Sequence, residues 1–384
     1  MLAYQRGNHV LADSLFGRAR VRLAAAGAAP SELLLLDLSH AEVLHGMGTD
    51  ARAESLYARI LAQRDQLDDE RSIVAAKGMI QLGFQALYGG DAARAEPLIA
   101  GALELRRQVY GDMHSDVGLA MSELAAVQWS LGRHEEALST RTRAVEILRQ
   151  MLGADHPEYA TRLGSLGVML SWRGDIEEAI RTFVETERIQ RQALGEEHYQ
   201  LAVTRRNLGR NLMAQGRYEE ALPVLRAALS SWIASMGDRD FFPSQCRLDI
   251  AVALAERGQR AAADSLVAAV LAEYRARPPR GTAAGDALVV QARLRALDGR
   301  IAEAADLVRA ALADYDEKGI GDNLARAAAE LQLGRYLIEL GDAVEAERRL
   351  RAAHDAFLAQ RGPHHPQTVA ARELLQQLEP VSQR

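Results

Sequence analysis

The 384-residue chain is short of several things that other folds depend on. It has one cysteine, Cys246, so no internal disulfide can form and no metal site can be assembled from cysteine pairs. Aromatic residues make up only 5% of the chain and prolines number ten, while alanine and leucine abound, the balance of helices packed through small side chains. There is no basic excess. A net charge of −6 argues against a general nucleic-acid binder, which needs clustered Lys and Arg to neutralise phosphates. Long apolar runs are missing too: the longest, Leu33 to Leu36, is far too short to span a bilayer, and Met1 to Val10 lacks the pattern of a secretory signal. These absences predict a reducing, cytoplasmic setting with no membrane contact by this segment.

The chain is too long for one hydrophobic core, so it holds several domains or a repeat array. An internal period decides between them. Glycines stand at Gly7, Gly48, Gly90, Gly132, Gly174, Gly216, Gly258, Gly299 and Gly341, spaced by 41 or 42 residues, and five residues after each comes an alanine, from Ala12 to Ala346. Seven residues before the glycine, wherever the chain reaches that far, stands only Gly or Ala, as at Gly83, Ala125, Gly167, Gly209 and Gly334. A fixed period of this length means stacked supersecondary units.

Each column has a physical reason. Small residues belong where two antiparallel helices cross at short interaxial distance. The glycine between them takes the left-handed conformation that ends a helix. Asn8, Asp91, Asp175 and Asp342 follow as N-caps, with Glu178 and Glu345 completing capping boxes for the last two. Nine residues past the glycine a large apolar core position recurs, as at Ile99, Phe183, Leu225 and Leu350, with Arg141 the exception. The unit is therefore helix A, tight turn, helix B, and about 17 helices in antiparallel pairs are expected.

Leu166-Gly167, Gly174-Asp175, Glu178-Ala179 and Phe183 resemble the tetratricopeptide repeat signature. The 42-residue period, with a Gly-x-x-His turn between repeats at Gly111 to His114, Gly153 to His156, Gly195 to His198 and Gly362 to His365, resembles the kinesin light chain variety of that repeat. The resemblance covers essentially the whole chain and implies an all-α fold, a right-handed superhelical α-solenoid, as a single array over 1–384. Residues 1–30 would be a half repeat and 362–384 a capping helix. Because that half repeat lacks its helix A, the first helix is expected to pack on something upstream. Arrays resembling this one often follow a bacterial Ser/Thr protein kinase or another signalling module.

A search for chemistry finds no phosphate loop, no His-Glu-x-x-His and no kinase loop motif. His114, His156 and His198 fall about one repeat apart, too far to share a metal, and are read as turn histidines. The pairs Glu135-Glu136, Glu177-Glu178 and Glu219-Glu220 lie in the first turn of helix B, where they complement the helix dipole. No catalytic residue, cofactor or metal is expected, and the chain reads as a non-enzyme.

What remains is the concave surface, which the resemblance assigns to helix A. The family's groove positions give Phe84, Tyr88, Trp129, Trp172, Arg206, Arg210, Arg293 and Arg335, and Asn207 matches an Asn that bonds the ligand backbone in similar repeats. Aromatics followed by guanidinium groups suit a peptide or protein segment carrying apolar anchors and acidic groups. The plainer alternative is that Trp129 fills a repeat interface and the arginines pair with neighbouring carboxylates. Two functions stand open: an interaction scaffold with a peptide-binding groove, or the sensor arm of a larger signalling protein.

Overall fold

The structure is a computed structural model that describes residues 9–46, 52, 55–56, 59, 69–237, 241–321 and 323–382. Among these, seventeen helices and no strand are present. Helix α1 (His9–Ala25) precedes α2 (Pro30–Gly46), and α17 (Pro366–Ser382) follows the last repeat. Between them lie seven hairpins. The first three are α3 (Asp69–Tyr88) with α4 (Ala92–Tyr110), α5 (Ser115–Ser130) with α6 (His134–Leu152), and α7 (Pro157–Arg173) with α8 (Ile176–Leu194). The next two are α9 (Tyr199–Ala214) with α10 (Tyr218–Met236), and α11 (Phe241–Glu256) with α12 (Arg260–Ala276). The last two are α13 (Ala283–Leu297) with α14 (Ile301–Glu317), and α15 (Leu324–Leu340) with α16 (Ala343–Arg361). This is an α-solenoid of helix-turn-helix units. The chain divides into two compact units, residues 1–162 and 163–384, and the division falls inside α7.

The columns found in the sequence meet across each hairpin. A Cβ added at Gly83 would stand 2.6 Å from Ile99, one at Gly209 2.6 Å from Leu225, one at Gly334 2.6 Å from Leu350, and one at Gly167 2.9 Å from Phe183. The small residue of helix A thus seats the large residue of helix B. The alanine column, Ala95 through Ala346, is 0% exposed throughout, so the helices cross at backbone distance. Each buried Leu, Ile or Phe in this seam contributes about 1.5–3 kcal/mol by leaving water.

The turns close as the glycine demands. Gly174 has φ +101° and Gly216 φ +72°, and the N–H after each returns to a carbonyl five residues back, Asp175 to Leu170 at 3.0 Å and Arg217 to Leu212 at 2.9 Å. That bond satisfies a helix-end carbonyl and stops the helix. At the start of helix A the turn histidine acts as an N-cap: the Nδ1 atoms of His114, His156, His198 and His365 accept the N–H two residues on at 3.1–3.2 Å.

Helix B caps divide. Asp91 accepts from the Arg94 N–H at 3.0 Å and Asp342 from the Glu345 N–H at 3.1 Å, as expected. Asp175 does not cap. Its carboxylate is taken by the Arg173 guanidinium, a charged donor that outcompetes a backbone amide. Glu345 likewise gives its carboxylate to Arg309 and Arg349 instead of closing a box. Asn8 lies outside the described residues.

Arg141, which breaks the apolar core column, is buried all the same. Its Nε and Nη1 have no hydrogen-bond partner, and burial, aided by the Arg162 charge and opposed by Glu123, pulls its pKa down to about 10. A buried guanidinium without a carboxylate costs stability where its column neighbours supply it.

Two substitutions test the seam by thermal and urea unfolding. Gly167→Leu should cost about 1–3 kcal/mol or more by driving a side chain into Phe183, whereas Arg226→Leu on an exposed face should change little. Arg141→Leu should raise stability by on the order of 1 kcal/mol. Equal melting of the two leucine variants at 167 and 226, or a loss at 141, would contradict the packing.

Candidate functional site

The candidate groove residues all fall on helices A. In the N-terminal unit, Phe84 and Tyr88 form a tilted pair with ring centroids 6.1 Å apart, and Tyr88 is 85% exposed. Trp129 meets the imidazole of His134 edge-on at 4.6 Å, at the junction of α5 and α6. Burial holds that imidazole's pKa below the ordinary histidine value, so the ring packs as a neutral group.

In the C-terminal unit the arginines divide. The Nε of Arg206 donates to Asp249 at 2.5 Å and that of Arg293 to Glu256 at 2.9 Å, each pair joining successive helices A. These are the intramolecular pairs of the plainer alternative. Arg210 and Arg335 are exposed and make no hydrogen bond or ion pair among the described residues.

Trp172, Asn207 and Arg210 come together. They line a pocket of about 560 Å³ whose other wall is the turn between α16 and α17. That turn is seated on the glycine turn of the α7–α8 hairpin: a Cβ at Gly174 would stand 2.9 Å from Pro366 Cδ. The His365 ring hydrogen-bonds the Trp172 carbonyl, while its Nδ1 accepts the Gln367 N–H at 3.2 Å. The ring proton is thereby placed on Nε2. Arg361 completes the wall, its guanidinium 5.8 Å from the centroid of the Trp172 ring, with Nη1 donating to Gln367 Oε1 at 2.9 Å. Burial first, and Arg210 second, lower the Arg361 pKa. Val168, Ile176 and Phe183 make the apolar side of the pocket.

Elsewhere little chemistry is in reach. Among the described residues no group of three or more His, Cys, Asp or Glu is placed to hold a metal, and no helix is long and apolar enough to cross a membrane. Cys246 is buried, donates to the Leu225 carbonyl at 3.3 Å, and has its pKa pushed up to about 12 by burial.

The family model for the tetratricopeptide repeat matches residues 74–150, 116–192 and 163–234. Residues 74–234 are tetratricopeptide repeats. Their period is 42 residues. Among curated proteins no sequence matches the chain. Solved structures share the fold. RapI in its apo form is 14% identical, covering 94% of this chain and 96% of its own, with a TM-score of 0.67. The apo quorum sensor NprR from B. thuringiensis is 11% identical over 93% of this chain and 100% of its own, at 0.62. BtubC (BKLC) from P. vanneervenii is 19% identical over 59% of this chain and 94% of its own, at 0.51.

Asn211, Arg361, His365 and Gln367 are pocket residues that sequence reasoning missed. Asn211 lies one place past Arg210 and off the family's groove positions. His365 was read only as turn chemistry and Arg361 was not singled out, because the period says nothing of a turn packing on a hairpin almost 200 residues earlier. The signal available was the doubled His364-His365, which the other inter-repeat turns lack.

The pocket histidine makes a pH prediction. Burial, then the Arg361 charge, hold His365 to a pKa of about 4, against about 6.5 for an unfolded histidine. Between those values the unfolded chain binds a proton that the folded chain refuses, so stability falls as pH drops from about 6.5 toward 4 and is unaffected above. His365→Asn keeps a capping side chain and removes this dependence. In urea melts the gap between variant and wild type should narrow from pH 7.5 to pH 5; a constant gap would mean an unperturbed histidine.

Proposed function

We propose that this protein is a non-catalytic interaction scaffold that receives an extended peptide or protein segment on its helix A face, in a reducing, cytoplasmic setting. Tetratricopeptide repeats commonly mediate protein–protein interactions. One observation carries the reading to this chain: Trp172, Asn207 and Arg210, from two successive helices A, converge on a pocket that offers aromatic area, amide hydrogen bonding and an unpaired guanidinium. That is the set a peptide with apolar anchors and acidic groups would use. Arg335, also unpaired, continues the basic character along the same helix face, while Arg206 and Arg293, tied to Asp249 and Glu256, serve to position helices.

The test is a peptide selected from a random library on the immobilised chain and titrated against variants. Arg210→Glu with Arg335→Glu should weaken it at least tenfold and make affinity less sensitive to salt without lowering the melting temperature, because neither residue has a partner among the described residues and a carboxylate at 210 would face Arg361. Trp172→Ala should cost roughly 2 kcal/mol for a ligand with an apolar anchor in the pocket. Unchanged affinity in the double variant would place the working surface on helices B or the inter-repeat loops.

A further inference from the structure

Arg141 places a charge in the α5–α6 seam, and no group among the described residues neutralises it. It is 4% exposed and makes no hydrogen bond or ion pair there, with Nε and Nη1 shut away from water. A guanidinium whose pKa is lowered to about 10 is still charged at neutral pH. Glu123, the carboxylate that acts on it, is engaged elsewhere: Nη1 of Arg162 holds it at 2.8 Å, and Nη2 of the same arginine holds Glu158 at 2.8 Å. Arg106 of α4 feels Glu123 as well, and its own Nε is buried without a partner. Three arginines thus compete for one glutamate, and Arg141 is left out. A second buried group stands at the same place. The hairpin register that sets Phe183 against Gly167, sixteen residues apart, sets Arg141 against Ala125. The face of α5 turned to α6 runs through Gly118, Ser122 and Ala125, about one turn apart, and a Cβ at Gly118 would stand 2.9 Å from Leu148. Ser122 therefore lies on the seam beside Arg141; it is 0% exposed, and its hydroxyl has no partner. Buried polar groups are met by protein, by water or by an ion. Water supplies hydrogen bonds but leaves the charge of a buried guanidinium uncompensated.

We propose that a small monovalent anion of halide size binds in the α5–α6 seam, accepting hydrogen bonds from the Arg141 guanidinium and the Ser122 hydroxyl, as a structural ion of this repeat. Both groups suit an anion: the guanidinium is a donor only, and the serine hydroxyl rotates to donate. Charge and size follow from the surroundings. One uncompensated positive charge is matched by one negative charge, whereas a dianion would add a surplus beside Glu123. Ala125, Ala144 and Leu148 are each 0% exposed, so the seam has no room for a carboxylate that trails a side chain or for a phosphate ester. The ion enters where Arg141 keeps its small exposure. Its binding offsets the cost of the buried guanidinium, so the stability of the α5–α6 hairpin rises with the supply of the anion. The site lies wholly in the N-terminal unit and does not depend on the peptide-binding reading.

The experiment is thermal unfolding of the full chain, followed by circular dichroism, in sodium chloride, sodium bromide or sodium gluconate at one fixed ionic strength. Gluconate is monovalent but too large for the seam. Chloride and bromide should raise the wild-type midpoint above its value in gluconate by about 2 °C or more, and the rise should saturate. Arg141→Leu should melt alike in chloride and gluconate, and its advantage over wild type, present in gluconate, should shrink as chloride is raised. Arg141→Met, which keeps the length of the stem and removes the charge, repeats the test if leucine disturbs the seam. Ser122→Ala should need several-fold more chloride to reach half of its shift. Chlorine NMR gives a reading that does not pass through stability: the chloride line should broaden with wild type, narrow again when bromide competes, and stay narrow with Arg141→Leu. Equal wild-type midpoints in the three salts, meaning that water alone meets the buried donors, would overturn the proposal. So would a chloride shift or a broadened line that survives both Arg141 variants.

Discussion

Everything in this fold depends on a close crossing of two helices, made possible by a glycine or alanine in helix A that faces a large apolar residue in helix B. The Gly83–Ile99, Gly167–Phe183, Gly209–Leu225 and Gly334–Leu350 contacts are one contact repeated. With no Cβ on one side, the backbones approach and the large side chain is enclosed; with a Cβ, the hairpin would have to open. The left-handed glycine turn and the buried alanine five residues later serve the same crossing, the first by reversing the chain and the second by sparing its space. Because each hairpin closes this way, each needs only its neighbours, which is what allows the unit to be repeated.

The crossing also decides where function can sit. Helix B spends its large residues on the seam and its charges on ladders between repeats, such as Arg257 to Glu219 at 2.9 Å and Arg309 to Glu345 at 2.7 Å. Helix A gives its small residue to the seam and buries large ones such as Leu208 and Leu212, and its exposed positions carry aromatic and basic groups such as Tyr88 and Arg210. Of the four candidate arginines there, Arg206 and Arg293 are consumed internally, and Arg210 and Arg335 are not. Arg210 lies where the turn between α16 and α17 is seated on the α7–α8 turn, which brings Arg361 toward it with no Asp or Glu among the residues lining the pocket. A site made this way owes its polarity to the absence of a counter-charge, not to any special residue.

The repeat, its hairpins and the turn histidines were legible in the sequence because each signal is periodic and local: small at one place, large sixteen residues later, glycine between. The caps were legible only in part. Asp91 and Asp342 behave as N-caps, while Asp175 does not, because Arg173 stands two residues away and a charged donor decides the contest. Arg141 was visible as an exception, but its burial without a partner depends on Glu123 being taken by Arg162, which the sequence does not show. Trp172, Asn207 and Arg210 were reached through their repeat positions. Asn211 and Arg361 were not, since their role comes from a packing contact with no period.

Hydrogen–deuterium exchange of the chain, free and saturated with a peptide selected on it, tests the central claim most directly, that helix A and the closing turn form the working surface. Protection should appear in α7 and α9 and in residues 361–367, with α8 and α10 unchanged. Protection confined to α8 and α10, with the turn exchanging as in the free chain, would contradict the account.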